Sequence, residues 1–330
     1  MRIYRGVEIE DTFAEAFPMT AVRVVVTAAT PSWAQVAAQV ATGYATSVIA
    51  CDAEAGCERY LTPEETPDGR PGVSLLFFAF NRDSLQKAVV NRVGQCILTC
   101  PTTACYNGLP LAPDKVIRVG GQLRYFGDGW QISKVLEPRP EQPPAMAGLQ
   151  APLSASRVQI GQHKTRLRRR FWRIPVMEGE FICEDFFGTV KGVAGGNLLI
   201  LGESQEAALA AAQAAVQAIQ QLPDVILPFP GGIVRSGSKV GSRYKKLRAS
   251  TNDAYCPTLR GVVSSALPEG VNCVYEIVID GLSEAAVRQA MRAGLEAACQ
   301  PGIRRISAGN YGGKLGPYHL RLHDLLDATG

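Results

Sequence analysis

Residues able to do chemistry gather in two places along this chain. The first is the stretch 228–258, PFPGGIVRSGSKVGSRYKKLRASTNDAYCPT. It opens on Pro-Gly-Gly and carries Arg235, Lys239, Arg243, Lys245, Lys246 and Arg248, with no carboxylate from residue 225 through 252. It closes on Ser250, Thr251, Asn252, Asp253, Tyr255 and Cys256. Gly231 and Gly232 would let the backbone come close to a ligand, because glycine tolerates φ > 0 and adds no side chain. The cations would hold something anionic, and the polar cluster would offer oriented donors and acceptors. A long loop of such specific composition is more often functional than connective. The plainer alternative is a solvated basic loop.

The second place is Glu276, inside NCVYEIVID at 272–280. As a strand, this segment puts Val274, Glu276 and Val278 on one face and Cys273, Tyr275, Ile277 and Ile279 on the other. Both faces are apolar, so the strand should be buried on both sides. A carboxyl group there loses its hydration, and its pKa should climb toward that of a working acid or base. The plainer alternative is a glutamate paired with Arg321 or Lys314. At an offset of 200 the counterpart of Glu276 is Leu76, so the fold itself needs no acid there.

Other constellations are weaker. His319 and His323 on a C-terminal strand would stand about 13 Å apart, too far for one metal. The run GNYGGK at 309–314 lacks the glycine that a phosphate loop needs, since residue 308 is Ala. No G-x-G-x-x-G opens a helix after a strand. Nine scattered cysteines form no C-x-x-C pair, which predicts reduced thiols, a cytoplasmic protein and no metal site. The N-terminus has no apolar core of a secretory signal, and no run of about 18 apolar residues predicts a membrane span.

The elements that must position these residues fall into a pattern. The 330 residues suffice for one large or two medium domains. The net charge is only +4, although 225–252 carries +6 and 142–177 carries +7. The remainder is therefore acidic, which suits an anionic partner at defined places and not a general polyanion binder. Strands are expected at 7–13, 23–28, 48–51, 73–80 and 121–126, with helices after Thr30 and over 83–98. Segments 52–72 and 101–114 read as loops. Residues 131–170 hold proline clusters and then HKTRLRRR, a basic linker or insert. The pattern then begins again. At an offset of 174, NLLILG (197–202) falls on RVVVTA (23–28), and Ser204 falls on Thr30, each heading an alanine-rich helix. The fold class expected is α+β, with two similar ferredoxin-like (split βαβ) lobes at 1–130 and 171–330 joined by the basic proline-rich linker 131–170.

Many short runs together resemble the formylmethanofuran–tetrahydromethanopterin N-formyltransferase family. They are GVEIEDTFAEAF, PEETPDGRPGV, VGQC, FGDG, EGEFICED, GVAGGN, PFPGGIV, SKVGS, ASTNDAYCPT, LPEGVNCVYEIVIDGL and ISAGNYGGKLG. The departure is 131–170, whose basic, proline-rich character resembles the bacterial form, the transferase subunit of a formyltransferase/hydrolase complex. The resemblance implies one-carbon metabolism without metal or covalent intermediate. A formyl group would move between a tetrahydromethanopterin-type pterin (or a dephospho form) and the amine of a methanofuran-type carrier, in bacteria from the pterin to the carrier. It places the catalytic glutamate on Glu276. Substrate contacts are expected from Gly231, Gly232, Lys239, Arg243, Lys245, Lys246, Ser250, Thr251, Asn252, Asp253, Tyr255 and Cys256, with Asn252, Tyr255 or loop N–H groups as oxyanion donors. Hydrolase-type subunits and further copies of the chain are the expected partners. Two other readings stand beside it, a scaffold subunit without catalysis and an RNA-binding protein. The aliphatic central strands count against RNA, which split βαβ lobes bind through exposed aromatics.

Overall fold

The computed structural model describes residues 2–49, 51–136, 157–160, 163–166, 169–314 and 316–327. The elements begin with β1 (Arg2–Tyr4), β2 (Val7–Ile9), β3 (Phe13–Thr27), α1 (Pro31–Thr42), β4 (Glu54–Leu61), β5 (Gly72–Ala79), α2 (Arg82–Arg92) and β6 (Ala104–Asn107). There follow β7 (Val116–Arg118), α3 (Gly120–Leu123), β8 (Ile132–Leu136), β9 (Arg157–Ile160), β10 (His163–Arg166), β11 (Arg169–Val176) and β12 (Gly179–Glu184). The rest are β13 (Phe186–Gly202), α4 (Gln205–Ile219), β14 (Val225–Ile226), β15 (Lys239–Val240), β16 (Ala249–Ser250), β17 (Cys273–Gly281), α5 (Glu284–Ala298), β18 (Ile303–Ser307), β19 (Tyr318–Arg321) and α6 (Leu322–Asp327).

This mixed α+β chain divides into two compact units. A terminal unit holds residues 1–18, 46–51 and 192–330, and a central unit holds 19–45 and 52–191. This division runs along other lines than 1–130, 131–170 and 171–330, because the long strands β3 and β13 each contribute residues to both units.

In the central unit, β3 pairs antiparallel with β5 and β6, and β5 pairs with β4, giving the order β6-β3-β5-β4. One sheet face carries Val22, Val24, Val26, Leu75 and Phe77 against Ala34, Ala37, Ala38 and Ala41 of α1 and Leu85 and Val89 of α2. Beyond β6 the sheet continues through β12, β11 and β8. In the terminal unit, β13 pairs with β17 and β18, and β14 pairs with β17, giving β18-β13-β17-β14. Here Leu198, Ile200, Ile277 and Ile279 meet α4 and α5. The matched helix starts at Thr30 and Ser204 are real N-caps, accepting the N–H of Trp33 at 3.4 Å and of Ala207 at 3.2 Å. Each relieves one of the donors that a first helical turn leaves without a partner.

The ladders correct one detail of the repeat. Arg23 stands opposite Leu76, and Asn197 opposite Val278, so Leu76 matches Val278 and not Glu276. Glu276, opposite Leu199, matches Ser74, opposite Val25. At that place the central unit has a closed buried network. Ser74 Oγ donates to Glu58 Oε2 at 2.6 Å, and Arg23 grips Glu58 with bonds of 2.8 and 2.6 Å.

Several local expectations also change. Among the described residues of 48–51 no strand forms; the strand is β4, within the expected loop. Its alternation is broken by a bulge between Cys57 and Arg59, which hid it. Residues 121–126 are helical turns, not a strand. Gly120 there lies so close to the next backbone that a Cβ would sit 2.6 Å from Glu184 O. The expected loop 101–114 contains β6, and the expected strand 7–13 is broken between β2 and β3. His323 lies in α6, off the strand that holds His319 and Arg321.

The basic end of the expected linker is partly structural. Residues 137–156 and Arg168 lie outside the described residues, but Arg169 and Arg170 belong to β11. Arg169 meets the fully buried Glu184 through Nε and Nη2 at 2.8 and 2.7 Å, and Asn107 N–H donates to the same carboxylate at 3.0 Å. Arg170 and Arg118 approach the buried Asp185 at 3.8 and 3.1 Å. Removing one partner of a buried pair leaves an uncompensated charge. Because Arg169 is partly exposed and Asn107 still donates, Arg169→Ala should cost about 3 kcal/mol, the low end of such losses. Denaturant unfolding measures it; an unchanged midpoint would return Arg169 to the linker.

Candidate functional site

Within the terminal unit, β17 has two unlike faces. Ile277 and Ile279 point into the helical core, while Val274, Glu276 and Val278 lie on the opposite face by the alternation of a strand. That face is covered in part by the chain after β16, where Tyr255, Leu267 and Val271 pack with Leu199, Leu201 and Val274. Glu276 stands opposite Leu199, which on its other side stands opposite Ser307, so the three form one row across the sheet. The Glu276 backbone is fixed by a two-bond bridge to Val234, with N···O distances of 2.7 and 2.9 Å. Val234 arrives there because the chain turns sharply at Gly231 and Gly232, with φ of 63° and 78°. A Cβ on Gly232 would also stand 2.9 Å from Leu227 and Val216. These glycines shape the backbone that meets Glu276.

The Glu276 carboxyl makes no hydrogen bond or ion pair among the described residues, and neither Arg321 nor Lys314 pairs with it. Burial alone pushes its pKa up to about 7.

A second acid organises the loop after β18. Glu15 is 1% exposed, and its carboxylate accepts N–H bonds from Tyr311, Gly313 and Gly316 at 2.7, 2.9 and 2.6 Å. The same loop is tied at its start to Asn197. Gly309 N–H donates to Asn197 Oδ1 at 2.6 Å, and Asn197 Nδ2 donates to Gly309 O at 3.1 Å. The Tyr311 ring lies 6.1 Å from that of Phe17. Its phenol is held above its usual pKa by burial, then by the charges of Glu276 and Glu15. Neither Glu15 nor Tyr311 was singled out from the sequence. They are separated by 296 positions, and only the loop geometry joins them.

The 228–258 stretch becomes a β-hairpin, β15 with β16, whose Arg243, Lys245 and Lys246 are exposed and without ion pairs among the described residues. Tyr244 and Leu247 are exposed beside them. Lys239 is bound to Asp253, and that bond holds the Asp253 carboxyl below its usual range. Ser250 Oγ donates to Gly241 O at 2.9 Å and Thr251 Oγ1 to Ser236 O at 2.6 Å, while Cys256 Sγ lies 3.5 Å from Asn252 O. The Asn252 Cβ sits against Gly237. Burial raises the Tyr255 phenol above its usual pKa, partly offset by the Ser307 side chain. Much of the polar cluster therefore braces the hairpin. Among the described residues, no three His, Cys, Asp or Glu side chains are grouped for a metal, and no helix is long and apolar enough to cross a membrane.

The comparisons with known proteins agree over nearly the whole chain. The family model described as "Formylmethanofuran-tetrahydromethanopterin formyltransferase" matches residues 1–141, and the one described as "FTR, proximal lobe" matches 179–325. The interval between them includes most of the basic segment. A formylmethanofuran–tetrahydromethanopterin formyltransferase of Methylobacillus flagellatus is 52% identical over 98% of this chain and 99% of its own. The solved formyltransferase of Methanosarcina barkeri is 47% identical, with a TM-score of 0.83 over 98% of this chain and 100% of that one. A chain in the formyltransferase/hydrolase complex (FhcABCD) of Methylorubrum extorquens, solved with methylofuran, is 50% identical, with a TM-score of 0.86 over 98% of each chain.

The Glu276 environment sets a pH dependence of stability. Its folded pKa of about 7 exceeds the ordinary 4.5, so the folded chain holds this proton more tightly than the unfolded one. That contribution is present below pH 4.5 and fades as pH rises through about 7. The loss is at most about 3 kcal/mol. Glu276→Gln should match wild type in stability at low pH and exceed it at pH 8. Parallel denaturation curves for the two across that range would mean the carboxyl ionises normally.

Proposed function

Since the chain belongs to the formylmethanofuran–tetrahydromethanopterin formyltransferase family, we propose that it moves a formyl group between a tetrahydromethanopterin-type pterin and the amine of a methanofuran-type carrier. One observation carries the choice of catalyst: the enclosed, unpaired Glu276 carboxyl, poised at about 7. An acid–base group works best with its pKa near the operating pH. Glu276 takes the proton from the attacking nitrogen and returns it to the leaving nitrogen as the C–N bond breaks. Apolar Val274, Val278 and Leu199 beside it keep water from competing for the formyl carbon. A non-catalytic scaffold would gain nothing from this desolvated acid.

The exposed hairpin cations hold the anionic part of a carrier, at the Arg243, Lys245 and Lys246 tip. Gly231, Gly232, Ser250, Thr251, Asn252, Asp253, Tyr255 and Cys256 build the backbone and floor beneath it, with Lys239 bracing Asp253. Each unit is a ferredoxin-like split βαβ fold, supported by the same fourth-first-third-second strand order in both and by helices on one face. The chain acts in the cytoplasm, in keeping with nine free thiols, and assembles with hydrolase-type subunits and further copies of itself. The basic segment between the family-model matches serves that assembly.

Two measurements test this reading. Wild type should transfer formyl between the two carriers in a single-turnover assay, and Glu276→Gln should be ~10²–10⁴-fold slower. A folded Gln variant that keeps most of its turnover would remove Glu276 from the role. Exposed ion pairs contribute only ~0–1 kcal/mol each, so the hairpin should act collectively. Arg243/Lys245/Lys246→Ala should raise the KM for the furan carrier about tenfold or more at low salt and leave kcat nearly unchanged. A KM independent of salt and equal in both proteins would take carrier binding away from the hairpin.

A further inference from the structure

Attack of nitrogen on a formyl group moves charge onto the carbonyl oxygen, and a donor fixed in advance lowers that barrier most. In this reading Glu276 carries the proton on nitrogen, which leaves the oxygen to another group. Of the expected polar cluster, the Thr251 and Ser250 hydroxyls already bond loop carbonyls. The loop after β18 offers a candidate on the Glu276 face: it starts at Gly309, which is bound to Asn197, and Asn197 stands opposite Val278, two residues from Glu276 on the same face of β17. We propose that the Tyr311 hydroxyl is the donor that stabilises the formyl oxygen in the transition state, and that Glu15 and Asn197 are the positioning residues that hold it there.

This rests on the formyl-transfer reading and goes beyond it. A loop with Gly309, Gly312, Gly313 and Gly316 would normally sample many conformations. Here the Glu15 carboxylate gathers three of its N–H groups, Asn197 binds Gly309 twice, and Asn310 Nδ2 donates to Thr12 Oγ1 at 3.1 Å. Gly312 and Gly313 have φ of 75° and 70°, and a Cβ on Gly316 would sit 2.4 Å from Ala16 O. The loop is thus locked by an acid that is itself buried. Its one aromatic side chain, half-buried beside Phe17, has a hydroxyl with no hydrogen bond among the described residues. Burial first, then the charges of Glu276 and Glu15, hold the phenol above its usual pKa, so it keeps its proton and remains a donor.

The step balances. The nitrogen lone pair forms the new N–C bond, the C=O π pair moves onto oxygen, and Tyr311 donates a hydrogen bond to that oxygen without giving up its proton. Glu276 receives the proton from the attacking nitrogen. The oxygen pair then reforms C=O, the old C–N bond breaks, and Glu276 protonates the nitrogen that leaves.

The experiment compares wild type, Tyr311→Phe and Glu15→Gln in the two-carrier assay, with melting curves for each. Tyr311→Phe should lose ~10²–10³-fold in kcat, the usual effect of deleting one oxyanion donor. Its KM values should stay within about twofold, as expected when only the transition state loses a contact. Its melting curve and its pH–rate limb from Glu276 should match wild type. Glu15→Gln should lower kcat as well, and combining it with Tyr311→Phe should add little further loss. Full kcat in Tyr311→Phe, or a raised KM with unchanged kcat, would overturn the proposal. An inactive wild type would instead sink the formyl-transfer reading itself.

Discussion

A carboxyl group with no countercharge among the described residues sits on the partly covered face of a sheet, and much of the terminal unit can be understood as what keeps it there. Removing a carboxylate from water without a partner disfavours its charged form. Strand β17 cannot rotate Glu276 away, because Ile277 and Ile279 on the other face anchor it in the helical core. The bridge to Val234 fixes the backbone at the same residue. The cost of the enclosed acid is borne by the apolar packing behind it, and the return is a group that can both take and give a proton near neutrality.

The acids of this chain show how surroundings decide their use. Glu184 is gripped by Arg169 and Asn107 N–H, and Glu58 by Arg23 and Ser74, so both are tied into structural networks. Glu15 is satisfied by backbone donors and spends its charge on shaping a loop. Glu276 alone among these four has no partner among the described residues. The repeat sharpens the contrast, because Ser74 stands where Glu276 does, and the central unit fills that place with a closed network.

What the sequence made legible was local or periodic. Alternation along 272–280 found Glu276, and the pairs Thr30/Ser204 and RVVVTA/NLLILG found the repeat. What it hid was long-range or broken in period. The bulge at Cys57–Arg59 disguised β4, and Arg169 of β11 read as part of a basic linker because its acid, Glu184, lies on β12, 15 residues later. Glu15 and Tyr311 could not be joined, since an acid that binds backbone N–H groups leaves no mark on its partners' side chains. The basic loop was read by its composition, which missed that Lys239 is spent on Asp253.

The central claim is that an unpaired carboxyl is held near neutrality by burial, and its own titration tests it most directly. Carboxyl infrared difference spectra, or ¹³C spectra of glutamate-labelled protein, can be followed against pH, with Glu276→Gln to assign the signal. The account predicts one carboxyl that titrates with a midpoint of about 7 and vanishes in the variant. A Glu276 signal with its midpoint near 4.5 would contradict it.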